Sequence, residues 1–218
     1  MESFEGMFTS GKGRAELWME KGIDLIHRKM IVGVPHMESN AEGFVEFPLA
    51  TNFFTGLHAL EHLYEPPDDG PEVPNIEIEF FSYGGDLKLS FGIYDRLMRA
   101  PVPVNIYMYG PCESGGSLIL QAATRRYISR NTTMMLHYGF TGDDGTSDPK
   151  RLKEAVRHHN QLMKMLMHIY YARCNRKLLT KKQLRDDIMR IESYFDAKTC
   201  IKLGLADEII KPIVNFKR

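Results

Sequence analysis

The 218-residue chain has few cysteines, no surplus of charge of either sign and no long apolar run. Each shortage excludes something. Cys112, Cys174 and Cys200 are an odd number with no C-x-x-C spacing, which speaks against a disulfide framework or a thiolate zinc site. They read as free thiols of a reducing compartment, packed as small apolar side chains. Lys plus Arg number 28 and Asp plus Glu number 28, so the basic excess that marks a dedicated nucleic-acid binder is missing. Nothing approaches the roughly 20 consecutive apolar residues of a membrane-spanning helix. Residues 1–5 carry no basic segment leading into an apolar one, so no secretory signal is expected. Internal repeats and low-complexity segments are absent as well.

What is present is an ordinary globular composition. Hydrophobic residues make up 43% and charged residues 26%, enough for one domain with a substantial core. Residues 1–28 are weakly periodic and are expected to form an N-terminal arm, docked in part or mobile; residues 29–218 are expected to form a single domain. Short β-type runs occur at 29–34 and 44–49. Thr51 is placed to cap a helix carrying Phe54, Leu57, Leu60 and Leu63, which the loop at 65–71 ends.

Ile76, Ile78 and Phe80 alternate as in a strand, which runs into Ser82-Tyr83-Gly84-Gly85-Asp86 and then a helix with Leu87, Phe91, Tyr94 and Leu97 on one face. A second strand at 103–108 leads to Gly110-Pro111-Cys112-Glu113-Ser114-Gly115-Gly116 and an apolar helix at 117–123. Strand, glycine turn, helix, repeated, is the pattern of right-handed βαβ crossovers, so the fold class is α/β. Both glycine turns then lie at the carboxyl edge of one sheet, where α/β proteins place their chemistry. Further on, 133–137 reads as a strand ending in a histidine. Asp148-Pro149 opens a long helix whose stripe includes Leu152, Val156, Met163, Leu166 and Tyr170. Thr180 and Gln183 form a capping box, Asp196 precedes a short helix that Gly204 closes, and 207–210 reads as a final strand.

Ser114 by itself reads as a helix N-cap. The G-x-S-x-G elbow is absent, since Cys112 stands where its first glycine would be. Two features add to the serine: Gly84-Gly85 could supply an oxyanion donor, and His137 ends a later strand within reach of a nucleophile.

In that order the motifs resemble the ClpP family, the proteolytic subunit of the ATP-dependent Clp serine protease. The family's N-S-P-G-G corresponds to Phe81-Ser82-Tyr83-Gly84-Gly85, its I-Y-D to Ile93-Tyr94-Asp95 and its G-x-A-A-S-M-G-A to the segment from Gly110 to Ser117. Its R-x-M-I-H corresponds to Thr133-Met134-Met135-Leu136-His137, and its E-A-x-x-x-G-L-x-D to the segment from Thr199 to Asp207. The resemblance spans roughly residues 30–210. It implies a ClpP/crotonase-like spiral of βαβ (ββα) units with a protruding helical handle at about 138–176. It further implies a serine endopeptidase with Ser114 as nucleophile and His137 as general base, and with the backbone N–H groups of Gly85 and Gly115 as the oxyanion hole. Glu192 falls where the family has its catalytic aspartate, with Asp196 the neighbouring acid whose position suits an N-cap.

The resemblance also implies unfolded polypeptide substrates, a Clp-type AAA+ ATPase partner and self-assembly into stacked seven-membered rings. It implies a cytoplasmic location and no cofactor, with neither nucleic acid nor membrane as a partner. Two other readings stay open: a crotonase-like acyl-CoA enzyme, which holds an enolate on paired N–H groups without a serine, and a non-catalytic structural subunit.

Other motifs carry less. His58-Ala59-Leu60-Glu61-His62 matches H-x-x-E-H, with both imidazoles on one helix face, but no third ligand is identifiable and no metal is expected. His158, His159 and His168 are expected on the long helix, and residues 163–167 are expected to be packing surface. The zero net charge is itself a cancellation: residues 61–79 hold seven acids and no Lys or Arg, whereas residues 150–190 hold twelve basic residues against three acids. That asymmetry is expected to guide subunit contacts.

Overall fold

The computed structural model describes residues 11–33, 44–63, 74–139 and 148–212. Expectations for residues 1–10 and for the loop at 65–71 fall outside them.

The architecture follows from strand β4 (Ile76–Ser82), in which Ile76, Ile78, Phe80 and Ser82 are buried and the alternate residues face outward. It pairs in parallel with β2 (Lys29–Val32) on one side and with β6 (Val104–Glu113) on the other. Beyond β6 come β7 (Arg125–Ile128) and β10 (Glu208–Ile209), both parallel, while β1 (Ile23–Asp24) adds an antiparallel edge to β2. The residues before position 29 therefore contribute helix α1 (Gly11–Lys21) and an edge strand to this sheet.

Helices pack on the apolar face. α2 (Phe47–His62) buries Leu49, Phe53, Leu57 and Leu60, and Phe53 meets Phe80 edge-on at 5.6 Å. α3 (Leu87–Met98) is capped by the Asp86 carboxylate, which accepts from the Leu89 N–H at 2.8 Å, and it buries Phe91, Ile93 and Leu97.

The structure corrects the expected start of α2. The helix begins at Phe47, with Glu46 at the N-cap and Pro48 in the first turn, so 44–49 is not one strand. Only Phe44–Val45 is extended, as β3, pairing with β5 (Gly84–Gly85). Starting earlier rotates the stripe: Leu49 and Phe53 face the core, whereas Phe54 and Leu63 are exposed and Thr51 lies within the helix. Pro48 suits the first turn, where its missing N–H costs nothing.

Strand β6 is longer than the sequence suggests and, on the side away from β4, serves two neighbours in turn. Its first part, from Asn105 to Met108, pairs with β7. Its second part, from Pro111 to Glu113, pairs with β8 (Thr133–Leu136), which in turn pairs antiparallel with β9 (Ser193–Asp196). The change of partner falls at Gly110, whose φ of 69° an L-residue rarely adopts. This division carries the end of β6 toward β8, and with it Ser114 toward His137. After β6 comes the short α4 (Gly115–Leu120), two residues earlier than expected and wholly buried.

The long helix α5 (Pro149–Arg173) starts as expected, Asp148 accepting from the Lys150 N–H at 2.9 Å. Its stripe divides. Met163, Leu166, Met167 and Tyr170 are buried, but Leu152 and Val156 are 53% and 46% exposed, so its first half has no apolar partner within the described residues of this chain. The capping box at Thr180 and Gln183 opens α6 (Lys181–Gln183), which continues as a π turn over Leu184–Ile188. Asp196 caps α7 (Ala197–Leu203), and Gly204 ends it in the left-handed conformation.

Candidate active site

Ser114 sits at the junction of β6 and α4 with φ 47° and ψ −119°. A positive φ on a non-glycine residue is a strained arrangement that persists only where the surroundings impose it. Here they do. The Ser114 N–H donates to the Met135 carbonyl at 2.8 Å, and the Ser114 carbonyl accepts from the Ser117 hydroxyl at 2.7 Å. The residue occupies the N-cap position, yet its side chain makes no capping bond. Its Oγ instead lies 2.8 Å from Nε2 of His137, which follows β8 directly. The hydroxyl thus points at the histidine and does not cap the helix, although the residue holds the N-cap position.

The glycines permit this approach. A Cβ on Gly84 would stand 2.6 Å from the Ser114 Cβ, so only glycine leaves room for the serine. A Cβ on Gly115 would meet the Ser90 Oγ at 2.2 Å; the same position lies 3.7 Å from the Gly85 backbone nitrogen, so both glycine turns adjoin Ser114. Gly115 is the first residue of α4, where backbone N–H groups lack partners within the helix.

Nδ1 of His137 lies 3.9 Å from Oε1 of Glu192, an ion-pair distance longer than a hydrogen bond. The Glu192 side chain is 48% exposed, and its other oxygen accepts from the Tyr194 hydroxyl at 3.4 Å. Burial lowers the His137 pKa below its ordinary value and the Glu192 charge offsets part of that, so the imidazole is neutral near pH 7. The Glu113 carboxyl is pushed up, first by burial and then by the charge of Glu192. Asp196 is committed elsewhere, accepting from the Thr199 N–H at 2.8 Å. The structure therefore brings Ser114, His137, Glu192, Gly85 and Gly115 together at one sheet edge.

Sequence reasoning missed the support behind them. Tyr170 is fully buried on α5, and its hydroxyl lies 2.6 Å from the Ser117 Oγ and 3.5 Å from the Ser114 carbonyl. The available signal was a tyrosine on an apolar stripe, since a buried phenol needs a hydrogen-bond partner. A cleft of about 650 Å³ opens in front of Ser114 and His137, with Phe44, Tyr83, Leu162 and Leu166 among its walls.

The H-x-x-E-H segment has a different explanation. The Glu61 side chain is buried and forms a two-pronged ion pair with Arg96, while the rings of His58 and His62 lie tilted against each other with centroids 4.4 Å apart. Among the described residues, no group of three or more His, Cys, Asp and Glu side chains could hold a metal ion, and no helix is long and apolar enough to cross a membrane. All three cysteines are buried free thiols.

Residues 59–212 match the family model described as Clp protease. The chain is 30% identical over 152 residues to the ATP-dependent Clp protease proteolytic subunit 2 of Chlamydia trachomatis, covering 67% of this chain and 71% of that protein. It is 28% identical over 148 residues to the proteolytic subunit of Bdellovibrio bacteriovorus, with 66% of each chain covered. For the Deinococcus radiodurans subunit the identity is 28% over 141 residues, covering 63% of this chain and 66% of the other. The mostly parallel sheet with the serine turn at its carboxyl edge agrees with these matches, and the chain belongs to the Clp protease family.

Proposed function

We propose that this chain is a ClpP-type serine peptidase acting on unfolded polypeptides. The observation that carries the reading is the 2.8 Å approach of His137 Nε2 to the hydroxyl of a strained Ser114. In the proposed reaction Ser114 Oγ attacks the scissile carbonyl while its proton passes to Nε2 of His137. The oxyanion is held by the N–H groups of Gly85 and Gly115. His137 then gives the proton to the leaving amine. Water, deprotonated by the same imidazole, attacks the acyl-enzyme, and the proton returns to Ser114 as the new carboxyl end departs. Glu192 orients the imidazole and favours its charged form; its distance and exposure make that a weaker contribution than that of a buried aspartate.

The proposed setting is a cytoplasmic chamber of stacked rings joined through α5 and fed by a Clp-type AAA+ ATPase. Exposed Leu152 and Val156 support that use of the helix, since they gain apolar contact only from another surface. Hydrolysis of an unstructured fluorogenic peptide by the assembled protein tests the reading. Activity should be lost in Ser114→Ala and in His137→Ala with assembly intact; peptide turnover that survives Ser114→Ala would sink it.

A further inference from the structure

The cleft in front of Ser114 does not end at His137. Tyr138 and His159 line it, and the same two side chains line a second cavity of about 700 Å³ between α5 and the turn that follows α6. The Tyr138 N–H donates to the Met189 carbonyl at 2.8 Å, which holds the residue at the passage from one to the other.

The second cavity has a distinct chemistry. Its floor includes Met163 and Met167, both buried. Its rim carries Lys164, Lys181, Lys182, Arg185 and Arg190, all exposed, against one lining acid, Asp186. Arg185 occupies that acid with contacts of 2.6 and 2.8 Å. Among the described residues no carboxylate lies within ion-pair distance of Lys164, Lys181, Lys182 or Arg190. An apolar floor under a rim whose five cations outnumber its one acid suits a chain with aliphatic stems and carboxylate ends.

We infer that the two cavities form one peptide-binding trough, and that its basic half selects substrates with Asp or Glu to one side of the scissile bond. The inference rests on the proposed peptidase reading for its substrate class. The rim also lies within the basic segment 150–190, so the positive field extends beyond the side chains named. Continuity with the serine cleft favours a peptide over any other anion.

The test uses the full chain carrying Ser114→Ala, so that binding is read without turnover. Fluorescent peptides sharing one apolar centre, flanked by Glu, Gln or Lys, are compared by anisotropy at low and high salt. The Glu-flanked peptide should bind about threefold or more tighter than the Gln-flanked one, as expected for several exposed charge pairs acting together, and salt should erase the difference. Lys164→Glu combined with Lys182→Glu should abolish the preference. In the parent protein the same reversals should lower kcat/KM for the Glu-flanked peptide towards that for the Gln-flanked one. Equal binding of all three peptides overturns the inference. So does a preference that survives the reversals, or reversals that alter only the assembly state. If the parent hydrolyses no neutral peptide, the peptidase reading fails separately, and the anisotropy still decides the trough.

Discussion

Tyr170 reaches from the long helix to the serine turn, its hydroxyl 2.6 Å from the Ser117 Oγ. Ser117 has a single proton, which goes to the Ser114 carbonyl, so Tyr170 is the donor in this pair. The helix that carries Leu152 and Val156 outward at one end thus fixes the backbone of the candidate nucleophile at the other. Replacing Tyr170 by Phe keeps the ring and removes the bond. Because the Ser117–Ser114 contact remains, kcat should fall about fivefold, equivalent to about 1 kcal/mol, with KM unchanged. Steady-state kinetics on a fluorogenic peptide decide it; a change confined to KM would assign Tyr170 to substrate binding instead.

The pH dependence follows from His137. Burial lowers its pKa from the ordinary value of 6.5, and Glu192 raises it part of the way back. The base must be neutral to accept a proton, so kcat/KM should be lost on the acid side through an apparent pKa below 6.5. Glu192→Gln removes the negative charge that favours the imidazolium, so the acid limb should move to still lower pH while the plateau falls. A limb that moves to higher pH would show that Glu192 does not act on this histidine.

Stability should show its own pH dependence, through Asp207, the acid that pairs with buried Arg126. Arg126 is 4% exposed and is held by Gln121 Oε1, the Gly204 carbonyl and both carboxylate oxygens of Asp207. Burial raises the Asp207 pKa, but the hydrogen bonds and charge of Arg126 outweigh it and hold the carboxyl below 3.8. A depressed carboxyl contributes stability that is fully present above its unfolded value and lost as pH falls through the folded one. Asp207→Asn should cost about 2 kcal/mol at neutral pH, less than for a fully buried pair because the Asp207 side chain is 25% exposed. Urea unfolding measures this; the variant should also lose part of the parent's stability change at acid pH.

Assembly should depend on the free half of α5. Leu152→Asp with Val156→Asp should shift the protein to smaller species in sedimentation, without lowering the melting temperature of the subunit. If the basic segment 150–190 guides the contact, added salt should weaken assembly of the parent as well. Salt-independent assembly would remove charge from the contact and leave the apolar residues.

The sheet edge was legible because strand, glycine turn and helix recur in a spacing that local chemistry dictates. Ser114, His137 and the two glycine turns could be placed from it. The start of α2 was not legible: Thr51 is a good cap by composition, but Pro48 and the burial of Leu49 and Phe53 set the boundary by packing. Strand β7 escaped notice because it opens with two arginines and has no apolar alternation; Arg126 is buried only by partners from distant segments. The Tyr170–Ser117 link joins residues 53 apart in sequence, and no local pattern announces it. The ion pair of Glu61 with Arg96 joins residues 35 apart, and it turns an apparent metal motif into a brace between helices.

The most direct measurement is mass spectrometry of the assembled protein after reaction with a fluorophosphonate probe at neutral pH. The proposed chemistry predicts one adduct per subunit, mapped to Ser114, absent in Ser114→Ala and slowed at acid pH as His137 becomes protonated. A folded, assembled protein that forms no adduct, or one that labels at another residue and is indifferent to Ser114→Ala, would contradict the assignment of Ser114 as the nucleophile.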